Sequence, residues 1–306
     1  MARYLMGRLG QALLVLIAIT TIVFFVLRLA PGDPARIMLG DLATEKEVRA
    51  LRTQMGLEEP FYVQYAVFVR NLLQGNLGRS IAFRTPAFPL VLERLPATVE
   101  LSLVAWGLAI VIAFPLGIVA AVRPRSPAAF CYTVFTAGAQ AMPSFWLGIM
   151  LMLVFAAWLQ ILPGSGRGGP TQMILPALTL ALNPAAMLAR LIRAGMVEVL
   201  EKDYIRTARA KGLGEVTVIV RHSFKNMLIP GVTLMGLQLG GFLGGAVVTE
   251  TVFAWPGVGR LAIVAISGRD YPMVQSAVLV LAFIFTMVNL LVDIAYMFLD
   301  PRIRYV

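Results

Sequence analysis

Side chains that could perform catalysis or bind a metal are scarce in this sequence. Its 306 residues include one histidine, His222, and one cysteine, Cys131. A single histidine cannot form a histidine-rich metal site, and a single thiol supplies neither a disulfide framework nor a thiolate site. The phosphate-binding pattern GxxxxGK followed by Ser or Thr does not occur. The sequence therefore predicts no catalytic residue, no metal site and no nucleotide hydrolysis by a P-loop of its own.

Among the polar residues in or beside the long apolar runs, three are candidates for a functional role: Glu250, Asn289 and Asp293. Asn289 and Asp293 are four residues apart, so they share one face of a helix. An acidic residue inside a membrane is a functional hypothesis by default, but we favour a polar contact between helices for this pair. Glu250 could face a translocation path or anchor the chain at the outer interface, and the sequence favours neither role.

A basic, amphipathic segment at residues 198–230 lies between two of these apolar runs. Residues 201–212 predict a short helix, which the stretch Gly212-Leu213-Gly214 ends. A second helix is predicted from about Glu215 toward Pro230. On pattern alone, the segment also fits a surface helix held by anionic lipid, to which each Lys or Arg adds about 1 kcal/mol.

The apolar runs dominate the chain, which is 59% hydrophobic and 14% charged. Soluble domains carry about 25% charged residues, whereas about 20 apolar residues in a helix cross a bilayer. We therefore predict an all-α polytopic membrane protein with six transmembrane helices. The runs are residues 9–29, 99–122, 130–160, 174–194, 228–249 and 276–299.

Prolines and tryptophans add predictions about the shape of these spans and about their ends. Pro115, Pro143 and Pro184 lie inside spans two, three and four, where they predict kinks or broken turns. All four tryptophans are predicted in the interface belts: Trp106, Trp146, Trp158 and Trp255.

The runs divide the chain into a first span at residues 1–30, an extracytoplasmic loop at 31–98 and a helical core at 99–306. Lys and Arg are concentrated in the short loops on the side that holds both termini, which predicts that both termini face the cytoplasm. The long loop also carries arginines, but loops longer than about 60 residues are translocated largely regardless of charge. Membrane topology thus explains the net charge of +10, and nucleic-acid binding does not.

The extracytoplasmic loop contains its own helix signals. Thr44 and Glu47 fit a capping box, and Gly56 fits the end of the helix that follows. A second helix is predicted from Pro60 to Gly75, and a third from Pro89 to Leu95, before span two.

Several motifs resemble those of one transporter family, in order along nearly the whole chain. TARAKGL followed by RHSFKNMLIP resembles the EAA loop of ATP-binding-cassette (ABC) importer permeases. LAPGDPARIM, ETVFAWPGVGRL and the C-terminal DPRIRY are similar to the B-type permease subunits of the oligopeptide, dipeptide and nickel branch. The resemblance implies a type I ABC importer permease fold, with a coupling helix that sits in a cleft of the ATPase subunit.

Thr207 and Ala208 stand at the paired-alanine positions of the EAA motif, and Gly212 stands at its glycine. Arg206 replaces the usual acidic residue, and the stretch from Gly212 to Pro230 is longer than the generic spacing. The residues that the resemblance implies for ATPase coupling are Tyr204, Arg206, Thr207, Ala208, Arg209, Ala210, Lys211 and Gly212.

The resemblance further implies a permease subunit of an ATP-driven importer for peptides or similar small solutes, in the bacterial cytoplasmic (inner) membrane. Its partners would be a homologous second permease of the C type in a heterodimer, two ABC ATPase subunits, an external solute-binding protein and the lipid bilayer. The chain would bind no cofactor, because ATP and Mg²⁺ bind to the ATPase subunits.

The alternative function is an ion-coupled secondary transporter, with Asp293 or Glu250 as the coupling carboxylate. Such transporters usually show internal repeats, and the sequence contains no convincing one. The exact substrate stays open among dipeptides, oligopeptides, glutathione, nickel chelates and other small solutes.

Overall fold

In a computed structural model that describes residues 2–29, 34–39, 43–54 and 56–299, the chain is a bundle of helices, as predicted. The elements are α1 (Ala2–Leu29), α2 (Pro34–Leu39), α3 (Glu45–Gln54), α4 (Phe61–Leu73), α5 (Ala87–Val122), α6 (Pro127–Ala141), α7 (Ser144–Leu151) with a π-helical extension (Met152–Trp158), α8 (Pro170–Leu200), α9 (Asp203–Ala210), α10 (Glu215–Thr217) with a π-helical extension (Val218–Phe224), α11 (Lys225–Val252), α12 (Val258–Ser267) and α13 (Tyr271–Leu299).

Four helices of the described part are long and apolar enough to cross a membrane: α1, α5, α8 and α13. The pair α6–α7 makes a fifth span if it is counted as one. The predicted run at 228–249 lies within α11, which has 28 residues and is therefore about 42 Å long. Five of the predicted runs thus each lie within one helix, and the run at 130–160 is divided between α6 and α7 with its extension. The count of six spans stays a prediction.

The three prolines of the predicted spans behave differently. At Pro143 the helix breaks, and the axes on either side of residues 142–143 differ by 112°. A residue before proline avoids the helical region, and Met142 is extended, with φ −98° and ψ 128°. Pro115 and Pro184 instead lie inside the continuous helices α5 and α8.

The centre of the bundle is built from small residues. Ala105 and Ala109 of α5 are buried with Ala181 and Ala185 of α8. Without a hydrophobic force between helices in lipid, such side chains allow the close backbone approach that makes van der Waals packing favourable. The same helices approach so closely at Gly117 that an added Cβ would lie 2.7 Å from the carbonyl oxygen of Ala189.

Most helix signals of the loop at residues 31–98 are confirmed where the structure describes them. The Thr44 backbone N–H donates to Glu47 Oε2 at 2.8 Å, and the Glu47 N–H donates to Thr44 Oγ1 at 3.4 Å, which completes the capping box of α3. Gly56 follows with φ +65°, the left-handed conformation of a helix C-terminus.

The predicted third loop helix is wrong as a separate element. Its residues belong to α5, which begins at Ala87 and continues without interruption into the second span. Pro89 does not stop this helix because it lies in the first turn, where backbone N–H groups have no partner within the helix.

Candidate functional site

Helix α9 is a short exposed helix between the end of α8 and the start of α10. A small apolar cluster packs its inner face against the rest of the chain. Ile205 is fully buried, Ala208 is 6% exposed, and both pack with the buried Val218 of the following segment. Ala208, one of the predicted coupling residues, therefore anchors α9 to the rest of the chain and does not present its side chain outward.

Two polar contacts hold the segment after α9 against it. Arg209 donates from Nη2 to Glu215 Oε1 at 2.6 Å and from Nε to Oε2 at 3.1 Å. The amide of Asn226 donates from Nδ2 to the Tyr204 hydroxyl at 3.2 Å. These contacts join α9 to α10 and to the start of α11.

The turn between α9 and α10 depends on Gly212. Its φ is +79°, a conformation that glycine adopts at little cost. Its N–H donates to the Arg209 carbonyl at 2.9 Å, and the N–H of Leu213 donates to the Ala208 carbonyl at 3.3 Å. The predicted helix stop at this glycine is confirmed.

The outward face of this segment combines basic and apolar groups. Arg206 and Lys211 are exposed, as are Thr207, Ala210 and Gly212. Residues after the predicted coupling positions add large exposed apolar side chains to this segment: Leu213 is 40%, Val216 75% and Val220 59% exposed. Sequence reasoning missed these three residues, although apolar side chains in a basic surface segment are themselves a signal of a protein contact.

The charges of this segment stabilise one another at neutral pH. The Arg209 guanidinium, hydrogen-bonded to Glu215, lowers the pKa of that carboxyl. Glu198, whose carboxylate lies 3.0 Å from Lys202 Nζ, raises the pKa of that ammonium. Both shifts favour the charged forms, so the segment carries a fixed charge pattern.

Asn289 and Asp293 lie on one face of α13, as predicted, and this face contacts two neighbouring helices. Arg8 Nη1 of α1 lies 3.1 Å from Asp293 Oδ2. Asn289 packs against Gly240 of α11, where an added Cβ would lie 3.0 Å from its Oδ1. This geometry is that of a polar contact between helices, which is the role favoured from the sequence.

Glu250 is fully buried where α11 turns back into α12. Thr98 Oγ1 donates to its Oε1 at 2.6 Å, and the backbone N–H of Arg260 donates to its Oε2 at 2.9 Å. An added Cβ at Gly257 would overlap the carboxylate. The side chain reaches no exposed surface of the chain, and its hydrogen bonds close the α11–α12 turn.

The same turn explains why one tryptophan prediction is wrong. Trp255 is fully buried, and its Nε1 donates to the Ala97 carbonyl at 2.9 Å, so it does not lie in an interface belt. Trp106 is also directed inward, since its Nε1 donates to the Met235 carbonyl at 2.9 Å. Trp158 is 73% exposed, which suits an interface position.

No group of three His, Cys, Asp or Glu side chains that could hold a metal ion occurs within the described ranges. The candidate site is the exposed face of residues 204–220, which begins on α9 at the junction of α8 and α11.

Two family models match the chain. Residues 113–305 match the model described as "Binding-protein-dependent transport system inner membrane component". Residues 1–102 match the model of the N-terminal part of such membrane components.

Curated relatives match over their full length. The dipeptide transport system permease protein DppB of Alkalihalophilus pseudofirmus is 39% identical over 333 residues, with 100% of both chains covered. The glutathione transport system permease protein GsiC of Escherichia coli O6:H1 is 40% identical over 306 residues, again with full coverage of both chains.

A solved structure of an amino acid ABC transporter with histidines resembles the fold. The TM-score is 0.50 at 18% identity, covering 70% of this chain and 94% of the other. At this identity the likeness shows the fold alone, which is that of a transporter membrane component.

Proposed function

The chain belongs to the family of binding-protein-dependent transport system inner membrane components, and we propose that it forms half of the translocation path of an ABC importer for short peptides. As a permease of the dipeptide and oligopeptide type, it is a multi-pass membrane protein and the non-enzymatic part of its transporter. Members of this family work with ATPase subunits and with a substrate-binding protein.

The observation that carries the coupling part of this proposal is the bracing of α9. An exposed helix transmits rigid-body motion only if it moves together with the spans behind it. The buried Ile205 and the bidentate pair of Arg209 and Glu215 meet that requirement. In the proposed mechanism, ATP closes a dimer of partner ATPases in the cytoplasm, and α9 passes this motion to α8 and α11.

The path itself would lie between this chain and a homologous second permease, in a heterodimer. Both termini would face the cytoplasm, and the extracytoplasmic loop with the α12 region would receive the binding protein. ATP and Mg²⁺ would be bound by the ATPase subunits. The peptide substrate is inferred from the two relatives, whose names specify dipeptide and glutathione transport.

The comparisons do not support an ion-coupled transporter, and the contacts of its two candidate carboxylates suit structural roles. Asp293 is paired with Arg8, and Glu250 is enclosed by hydrogen bonds at a turn. A coupling carboxylate must exchange its ion with water during each cycle, and Glu250 is fully buried.

A mild-detergent purification of the tagged chain from its native membrane tests this proposal. Mass spectrometry should identify a second, homologous permease and nucleotide-binding subunits in the complex. Labelled dipeptides should then enter cells of the intact strain, and a deletion strain should lose this uptake. Recovery of the chain alone, under conditions that keep a known ABC complex intact, would contradict the proposal.

A further inference from the structure

A cavity lies where the outer end of α1 meets α4, the loop after α4 and the start of α13. Its volume is about 370 Å³. Its lining combines apolar side chains with amide groups, a tyrosine hydroxyl and the guanidinium of Arg28. The lining includes Leu27, Arg28, Gln64, Val67, Tyr271 and Gln275. Neither the coupling helix nor the α11–α12 turn borders this cavity.

Among the described residues, Arg28 is held in place by two contacts. Its Nε donates to Gln64 Oε1 at 2.7 Å, and its guanidinium lies 3.8 Å from the centroid of the Phe24 ring. Gln64 is itself held, because its amide nitrogen donates to the Glu59 carbonyl at 2.7 Å. In the part of the chain that the structure describes, no carboxylate pairs with Arg28, and Glu59 occupies the exposed rim of the cavity.

The depth of Arg28 follows from the length of α1. Arg8 and Arg28 are 20 residues apart in one continuous helix, a distance of about 30 Å. The hydrocarbon core of a bilayer has about the same thickness. With Arg8 at one boundary, Arg28 therefore lies at the level of the lipid headgroups on the other side.

Helix α4 lies against α1 at this same level. The Tyr65 hydroxyl is 2.8 Å from Thr21 Oγ1, about two turns below Arg28. Large apolar and aromatic side chains of α4 remain exposed: Phe61 is 57%, Tyr62 76% and Leu73 83% exposed. Aromatic residues of this kind are typical of the membrane–water interface.

We propose that this cavity binds one phospholipid, with its headgroup phosphate on the Arg28 guanidinium and its glycerol and upper acyl chain along Leu27 and Val67. A planar guanidinium binds phosphate oxygens through paired N–H donors, and the Nη groups of Arg28 have no protein acceptor among the described residues. The bound lipid holds the extracytoplasmic loop against the first and last spans.

Native mass spectrometry of the purified chain, with the subunits that accompany it, tests this site. The probe is palmitoyl-oleoyl-phosphatidylglycerol added to the detergent solution. Wild-type protein should retain one more phospholipid per chain than Arg28→Gln. The matched control is Arg70→Gln, an exposed residue of α4 that does not line the cavity and loses the same charge. This control should retain the wild-type number.

A second variant separates lipid loss from damage to the fold. Val67→Trp fills the cavity from its exposed edge and leaves Arg28 and Gln64 in place. It should lose the same lipid while its thermal unfolding midpoint in lipid-free detergent matches that of the wild type. Equal lipid retention by Arg28→Gln, Val67→Trp and the wild type would overturn the site.

A third arm distinguishes a lipid from a free anion. Phosphatidylglycerol should raise the unfolding midpoint of the delipidated protein, whereas inorganic phosphate at the same concentration should leave it unchanged. Equal protection by the two compounds would overturn the lipid assignment in favour of a small-anion site.

Discussion

Arg209 and Glu215 meet across the turn at Gly212, with Nη2 2.6 Å from one carboxylate oxygen and Nε 3.1 Å from the other. This bidentate geometry fixes direction as well as distance. It therefore closes the exposed loop between α9 and α10 into a rigid corner. The proposed coupling role depends on this corner, because a flexible loop would absorb the motion that α9 would have to transmit.

Protonation of Glu215 should loosen this corner. Arg209 lowers the pKa of Glu215, so the contribution of the pair is complete above the ordinary glutamate range, near about 4.3. It is lost as the pH falls through the lowered value. The effect on stability is at most about 1 kcal/mol because both groups are exposed.

A spin label at Ala210, in a Cys131→Ser background, measures this change. Its mobility should rise between pH 7 and pH 3 in the otherwise wild-type chain. With Glu215→Gln added, mobility should already be high at pH 7 and should change much less. Equal pH responses of the two proteins would show that the Arg209–Glu215 pair is not the source of the mobility change.

Gly212→Pro should abolish uptake while the protein still inserts into the membrane. Proline cannot adopt the φ of +79° found at this position and removes the N–H that donates to the Arg209 carbonyl. The matched control is Gly214→Pro, since Gly214 has φ −62° and open space around it. Peptide uptake and membrane content should both be measured, and normal uptake by Gly212→Pro would refute the role of the turn.

Gly257→Ala should destabilise the protein, because the new methyl group overlaps the buried Glu250 carboxylate. We expect a loss of about 1–3 kcal/mol from overpacking. Gly241→Ala is the control: it lies in α11 with open space around it and should be neutral or stabilising. Thermal unfolding in detergent measures the stability of both variants. Equal unfolding midpoints for Gly257→Ala and Gly241→Ala would argue against a tightly closed turn.

Asp293→Asn should leave ATP-driven peptide uptake largely intact. The carboxylate forms a partly exposed ion pair with Arg8, and such pairs contribute about 0–1 kcal/mol. An ion-coupled transporter would instead lose uptake altogether on neutralisation of its coupling carboxylate. Uptake by the wild type and by Asp293→Asn should be measured with and without a protonophore that leaves cellular ATP unchanged. Abolition of transport by Asp293→Asn would favour the ion-coupled mechanism.

Local signals in the sequence predicted local structure well. The capping box of Thr44 and Glu47 and the left-handed glycines Gly56 and Gly212 each depend on neighbouring residues only, and all three are confirmed. The apolar runs likewise predicted where the long helices lie, because the thickness of a bilayer sets the length of a span.

Features that depend on distant residues could not be predicted. Glu250 and Trp255 are interior because Thr98 and Ala97, about 150 residues earlier, supply their hydrogen-bond partners. Sequence reasoning likewise could not choose between a kink and a break at Pro143, because packing around a proline decides whether the helix continues.

Site-specific photocrosslinking from α9 tests the central claim most directly. Benzoylphenylalanine should be placed at Thr207 or Ala210, both exposed on α9, and at Leu13, which is 60% exposed on α1, as the control. In native membranes, both α9 positions should crosslink to a nucleotide-binding subunit, and Leu13 should not. If neither α9 position yields that product while the complex still purifies intact, α9 is not the docking helix and the coupling account is wrong.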